Sequence, residues 1–146
     1  MQKEILLEMV NQNLMTCSYA LNRVTDENKD WRLNEKTASI GFIFRHIGET
    51  INLFGHFFGI PTEVQNTTIG QIDTGKDYDI TASRTLIETG FEMLRTLIEE
   101  TPNPEWLNLI DTPFFGPVSK ARLFSHILYH NSHHCGQISM ILEKGH

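Results

Sequence analysis

Seven histidines occur in the chain, and four of them fall between positions 126 and 134. His126, His130 and His134 recur every fourth residue, a spacing that stacks side chains on one face of an α-helix, about 6 Å apart along the axis. One helix offers two imidazoles to a single metal ion in this way. All three cannot share an ion, since His126 and His134 are separated by about 12 Å of axis. The segment therefore supplies a pair and a spare, and a third ligand must come from elsewhere. On a helical projection with Ile127 at zero, His134 falls near −20° and His130 near −60°, inside the apolar sector marked by Leu123, Ile138 and Ile141. His126, His133 and Gln137 flank that sector. Unpartnered imidazole nitrogens on a core-facing stripe cost on the order of 1–3 kcal/mol each. A cation would satisfy them.

The third ligand has two candidates further up the chain. His46 lies mid-pattern beside Ile43, Thr50, Leu53 and Phe57. His56 is about 15 Å further along the same helix, near Asn52, and cannot share an ion with His46. The apolar setting favours His46. Glu49, one turn beyond it, could serve as a base behind the ligands, but its turn toward the polar face favours a solvated glutamate. Gly136 reads as a weak point or a place of close backbone approach. Gly41, Gly48, Gly55 and Gly59 share a side, which reads as close helix packing.

Four amphipathic patterns must position these residues. The first runs through Leu6, Val10, Leu14, Cys17, Leu21 and Val24. The second, capped by Thr37 or Ser39, carries Ile40, Phe44, Ile47, Ile51, Phe54 and Phe58. The third starts near Asp79 or Thr81, carries Ile87, Phe91, Leu94 and Ile98, and stops before Pro102 and Pro104. The fourth starts after Pro117, with Ser119 as cap, and runs to Gly145. No stretch alternates with period two, so no sheet is expected. Such stripes bury one another in an all-α fold, an antiparallel four-helix bundle. The long segments 25–38, 60–79 and 101–118 exceed minimal turns and predict crossovers or site-lining loops.

Composition narrows the function. A chain of 146 residues, 40% hydrophobic and 21% charged, predicts one globular domain over 1–146. A net charge of −6 without a Lys/Arg cluster argues against a nucleic-acid partner. No apolar run suits a membrane span and no secretory leader is apparent, so a cytoplasmic protein is expected. Cys17 and Cys135 read as buried thiols in a reducing compartment. The stretch Gly70–Lys76 imitates a phosphate-binding loop, but Asp77 stands where Ser or Thr is needed. Asn66-Thr67-Thr68 is a glycosylation acceptor only in a secreted chain.

The run His130-Asn-Ser-His133-His134-Cys-Gly136-Gln137 resembles the last-helix signature of the DinB-like superfamily, His-x-x-x-His-x-Gly-Gln. The phrase Ser39-Ile40-Gly41-Phe42-Ile43-Phe44-Arg45-His46 is similar to that family's second-helix segment. The resemblance spans the whole chain, though only these two segments are specific, and His126 is an extra histidine. It implies one divalent metal, zinc or nickel foremost, on His46, His130 and His134. It also implies thiol-transferase or hydrolase chemistry on a small electrophile, with a low-molecular-weight thiol as cosubstrate. The catalytic residues are not specified. A mouth around Trp31, Trp106, Phe114 and Phe115 and a homodimer are further expectations. The competing expectation is a non-catalytic metal-binding bundle.

Overall fold

The computed structural model describes residues 1–146. Its helices are α1 (Gln2–Leu21), α2 (Ile40–Phe57), α3 (Ile80–Glu100) and α4 (Lys120–Lys144). Three of the four starts carry the side-chain cap that satisfies an orphan backbone N–H. Ser39 accepts from Phe42 N, Asp79 from Ala82 N, and Ser119 from Arg122 N. One continuous core joins all four helices, with Phe44, Ile47, Ile51, Phe91, Leu94, Ile127 and Ile138 among its buried side chains.

Cross-helix contacts fix the directions. Lys3 near the start of α1 reaches Glu99 at the end of α3, while Arg84 at the start of α3 bonds the Leu21 and Val24 carbonyls. Helices α1 and α3 are thus antiparallel, and so are α2 and α4, since His46 meets His130 and Phe54 meets His126. Helix α2 runs the same way as α3: Gly48 faces Ser83 and Leu86, and Gly55 faces Met93. Helix α1 likewise runs with α4, Asn13 bonding Leu128 and Ser132 while Arg23 pairs with Glu143. Around the bundle the neighbours are α1–α3–α2–α4, so α1 and α2 lie on one diagonal and α3 and α4 on the other. Parallel α2 and α3 require the return segment 58–79 to span about 27 Å, the length of α2. That accounts for its length. Asp73 anchors this segment by accepting from Ser39 N, Gly75 N and Arg32.

Two features depart from the sequence reading. A short 3₁₀ helix (Asn103–Leu107) leads into a hairpin, β1 (Leu109–Thr112) and β2 (Gly116–Ser119), where no sheet was expected. Each strand has only four residues, and their inward apolar side chains reduce to Ile110 and Val118. No alternation can register over so short a run. Trp106 is buried edge-on to Phe124 and forms no part of a mouth. Cys17 and Cys135 are free buried thiols, as expected. No helix is long and apolar enough to cross a membrane.

Helices α2 and α3 pack backbone to backbone, and Asn52 crosses between them to the Gly48 and Leu86 carbonyls. A Cβ at Gly90 would lie 2.6 Å from Ile51 Cγ2 and 2.8 Å from Ile51 Cβ. Alanine gains about 1 kcal/mol of helix propensity over glycine, against about 1–3 kcal/mol for overpacking a filled core. Overpacking wins here, because the obstructing atoms are near the Ile51 backbone. Gly90→Ala is expected to lower the urea midpoint; an unchanged or raised midpoint would mean that α2 and α3 can separate at no cost.

Candidate metal centre

His46 projects from the middle of α2, and His130 and His134 from successive turns of α4. The antiparallel α2–α4 pair brings the three imidazoles together. His130 Nε2 lies 3.2 Å from His46 Nε2 and 3.0 Å from His134 Nε2. One nitrogen from each ring falls within 4.8 Å of the others, and all three residues are half-buried.

The far side of two rings determines what the converging nitrogens can do. Glu49, the next turn of α2, is fully buried. Its Oε1 accepts from Arg45 Nε at 2.9 Å and Thr67 Oγ1 at 2.6 Å. Its Oε2 accepts from Thr67 N, Thr68 N and Thr68 Oγ1. Burial alone would raise the Glu49 pKa, but these donors outweigh it and hold the carboxyl below its ordinary range. The carboxylate is therefore ionised and can only accept. Thr68 spends its hydroxyl proton on Glu49, so the Thr68 oxygen accepts from His46 Nδ1, 3.1 Å away. His46 Nδ1 carries the proton and Nε2 presents a lone pair. Gln137 Oε1 accepts from His134 Nδ1 at 2.6 Å, which fixes the same tautomer there.

His130 stands between two such lone pairs. Its Nε2 can donate to one of them at most, and its Nδ1 is buried with no partner. Either tautomer of His130 leaves a buried nitrogen unsatisfied. A cation bound by all three Nε2 atoms uses the converging lone pairs that no arrangement of protons can satisfy together, and it leaves the His130 proton on Nδ1. The donor set, three neutral imidazoles, suits a divalent transition ion. Burial first, then the neighbouring histidines, push the pKa of His46 down to about 4 and that of His130 down to about 2. Burial also lowers His134, against the Gln137 hydrogen bond. The rings stay neutral at physiological pH.

The remaining expectations divide. Glu49 is not the solvated residue favoured for it; four of its five donors come from a loop that the α2 projection does not contain. The available signal was that Arg45 and Glu49 are the only ionised residues of α2, one turn apart in an apolar helix. Thr68 carried no signal except its place in a polar loop. His126 sits half-buried among Phe54, Phe115 and Tyr129, and His133 and His56 are exposed. Gly136 faces open space, so no backbone approaches it.

The depressed histidines have a consequence for the metal-free protein. Between pH 6.5 and about 4, unfolded histidines bind protons that buried His46 and His130 refuse. The unfolded state then holds more protons, so stability falls as the pH drops through that window. Denaturation in chelator at pH 7.5, 5.5 and 4.5 is expected to show progressively lower midpoints. A flat profile would contradict the burial of these rings.

The family profile described as the DinB superfamily matches residues 10–138. Among solved structures, YfiT from Bacillus subtilis superposes with a TM-score of 0.74 at 14% identity, over 97% of this chain and 86% of that one. It is described as a probable metal-dependent hydrolase with an unusual four-helix bundle topology. The DinB-like protein YjoA from Bacillus subtilis gives 0.65 at 16% identity, over 93% and 90% of the two chains. ClbS, a colibactin self-resistance protein in complex with double-stranded DNA, gives 0.65 at 13%, over 97% and 95%. That complex means the fold as such does not exclude nucleic acid. No functionally curated protein matches by sequence. With the profile covering most of the chain and the bundle shared throughout, this protein belongs to the DinB superfamily.

Proposed function

We propose that the chain is a metal-dependent enzyme in which His46, His130 and His134 hold one divalent ion, zinc or nickel foremost, and a small electrophile is the substrate. The reaction we favour is transfer of a low-molecular-weight thiol, with hydrolysis as the second form. The observation that carries this reading is the convergence of three Nε2 atoms, two of them held as inward lone pairs by the partners of His46 Nδ1 and His134 Nδ1. When bound, an ion on three neutral ligands supplies Lewis-acid activation of a nucleophile at neutral pH.

The chain's own residues divide the remaining work. Glu49, through Thr68, holds His46 with its lone pair aimed inward. Gln137 does the same for His134. Thiol transfer forms a carbon–sulfur bond as the bond to the leaving group breaks; the leaving group takes the electron pair, and the thiol proton passes to solvent. The net charge of −6 favours a small molecule over a phosphate backbone, although a relative of the same fold is known with DNA. A non-catalytic centre would call for a side chain closing the fourth position. The candidate group contains only the three histidines, and Glu49 is committed to Arg45, Thr67 and Thr68. That supports the open, reactive form.

Two measurements test the reading. Elemental analysis of untagged protein is expected to give about one equivalent of metal, lost in His130→Ala. A folded wild type that is metal-free and takes up neither zinc nor nickel would sink it. Thr68→Val keeps the shape of the side chain but cuts the link from Glu49 to His46. It is expected to weaken zinc binding by about 10- to 100-fold while leaving the far-ultraviolet circular dichroism unchanged. Unaltered affinity would remove Thr68 from the site.

A further inference from the structure

Two phenylalanines at the tip of the hairpin are half-exposed, Phe114 at 52% and Phe115 at 46%. The turn that carries them is braced. Thr112 Oγ1 accepts from Phe115 N at 3.0 Å and donates to the Gly116 carbonyl at 3.1 Å. Gly116 takes a φ of 64°, which a side chain would strain. The rings are therefore presented in a fixed place rather than loosely displayed. Phe114 lies 5.6 Å from Phe54 and 6.1 Å from Phe57, centroid to centroid. Phe54 in turn lies 6.4 Å from His130. A file of rings thus leads from the hairpin tip to the histidine centre.

Beside this file is a cleft of about 210 Å³, lined by the apolar Leu53, Phe54, Phe57, Ile69 and Phe114 and by the polar His56 and Asn66. No carboxylate, lysine or arginine lines it. Ile69 directly follows Thr68, so the wall continues into the loop that orients His46. A cavity of about 150 Å³ lined by apolar side chains is enough for benzene, whereas drug-sized ligands need about 300 Å³ or more. A charged group entering here would meet mostly apolar walls, with only the His56 ring and the Asn66 amide to replace its hydration.

We propose that this cleft seats the apolar part of the substrate, a neutral group about the size of one six-membered ring, with its reactive carbon toward the histidine centre. The inference rests on the enzyme reading above. Phe114 acts as a specificity-determining residue, through ring contact alone, and takes no part in the chemistry.

Benzyl alcohol, a neutral and unreactive probe, tests the assignment by ligand-observed NMR on the full chain, both as purified and in chelator. Benzenesulfonate, of similar ring size but anionic, serves as the counter-probe. Binding of benzyl alcohol is expected in wild type and His130→Ala alike. It is expected to weaken by about tenfold in Phe114→Ala and by less in Phe114→Leu, which keeps apolar contact but no ring. Both substitutions lie at an exposed turn, and circular dichroism confirms the fold. Absence of binding, equal binding of benzenesulfonate, or affinity unchanged in Phe114→Ala would each overturn the proposal. Metal uptake without probe binding overturns the cleft alone. Probe binding without metal uptake supports the cleft as a ligand site and overturns the enzyme reading.

Discussion

A carboxylate with no exposure to solvent must be given donors for its oxygens, because an unpaired buried charge costs several kcal/mol. Glu49 is such a group, and much of the structure around the centre follows from satisfying it. Two donors are the backbone amides of Thr67 and Thr68, and two more are the hydroxyls of the same residues. Together they dock the crossover 58–79 onto α2 at one point. Arg45 closes the set from within the helix and balances the charge. Once Thr68 has given its proton to Glu49, the tautomer of His46 is decided as well. One buried charge thus orders a loop and aims an imidazole.

The position of α2 is equally constrained from its other side. Where Gly48 and Gly90 sit, α2 and α3 approach so closely that a Cβ would meet Leu86 at 2.8 Å or Ile51 at 2.6 Å. The opposite flank of α2 meets α4 through His46, Phe54 and their partners. Nitrogens about 3 Å apart from two different helices tolerate little relative sliding. A glycine contact that removes slack between α2 and α3 therefore also protects the register between α2 and α4, since close-packed interiors transmit small shifts rather than absorb them.

Much of this was legible in the residues, and what was not had a physical reason. The four helices, the cap Ser119, a choice of two residues for each of the caps that proved to be Ser39 and Asp79, and the inward pair His130 and His134 are local matters of period and neighbour. His46 stood out because its own helix surrounds it with apolar residues. Glu49 was misread because a helical projection sees one helix, and the groups that bury Glu49 belong to a loop 18 residues away. Which helices are neighbours was hidden likewise: a stripe reports that a face is buried, not against what. The hairpin escaped because four-residue strands with one inward apolar side chain apiece leave no pattern to detect.

Relatives that share only 14–16% of residues superpose over more than nine-tenths of this chain. With so few residues shared, the bundle depends on pattern and volume more than on particular residues. What distinguishes one such protein from another then has to lie outside that pattern. In this chain the candidates are the Glu49–Thr68 link and the aromatic tip of the hairpin. The hairpin is braced by its own ladder and by Thr112, and it rests on α2 and α4 without completing either. Residues at its tip can change without shifting the histidines. The histidines are held by long helices and the aromatic tip by a self-supporting turn, so the two are mechanically separate.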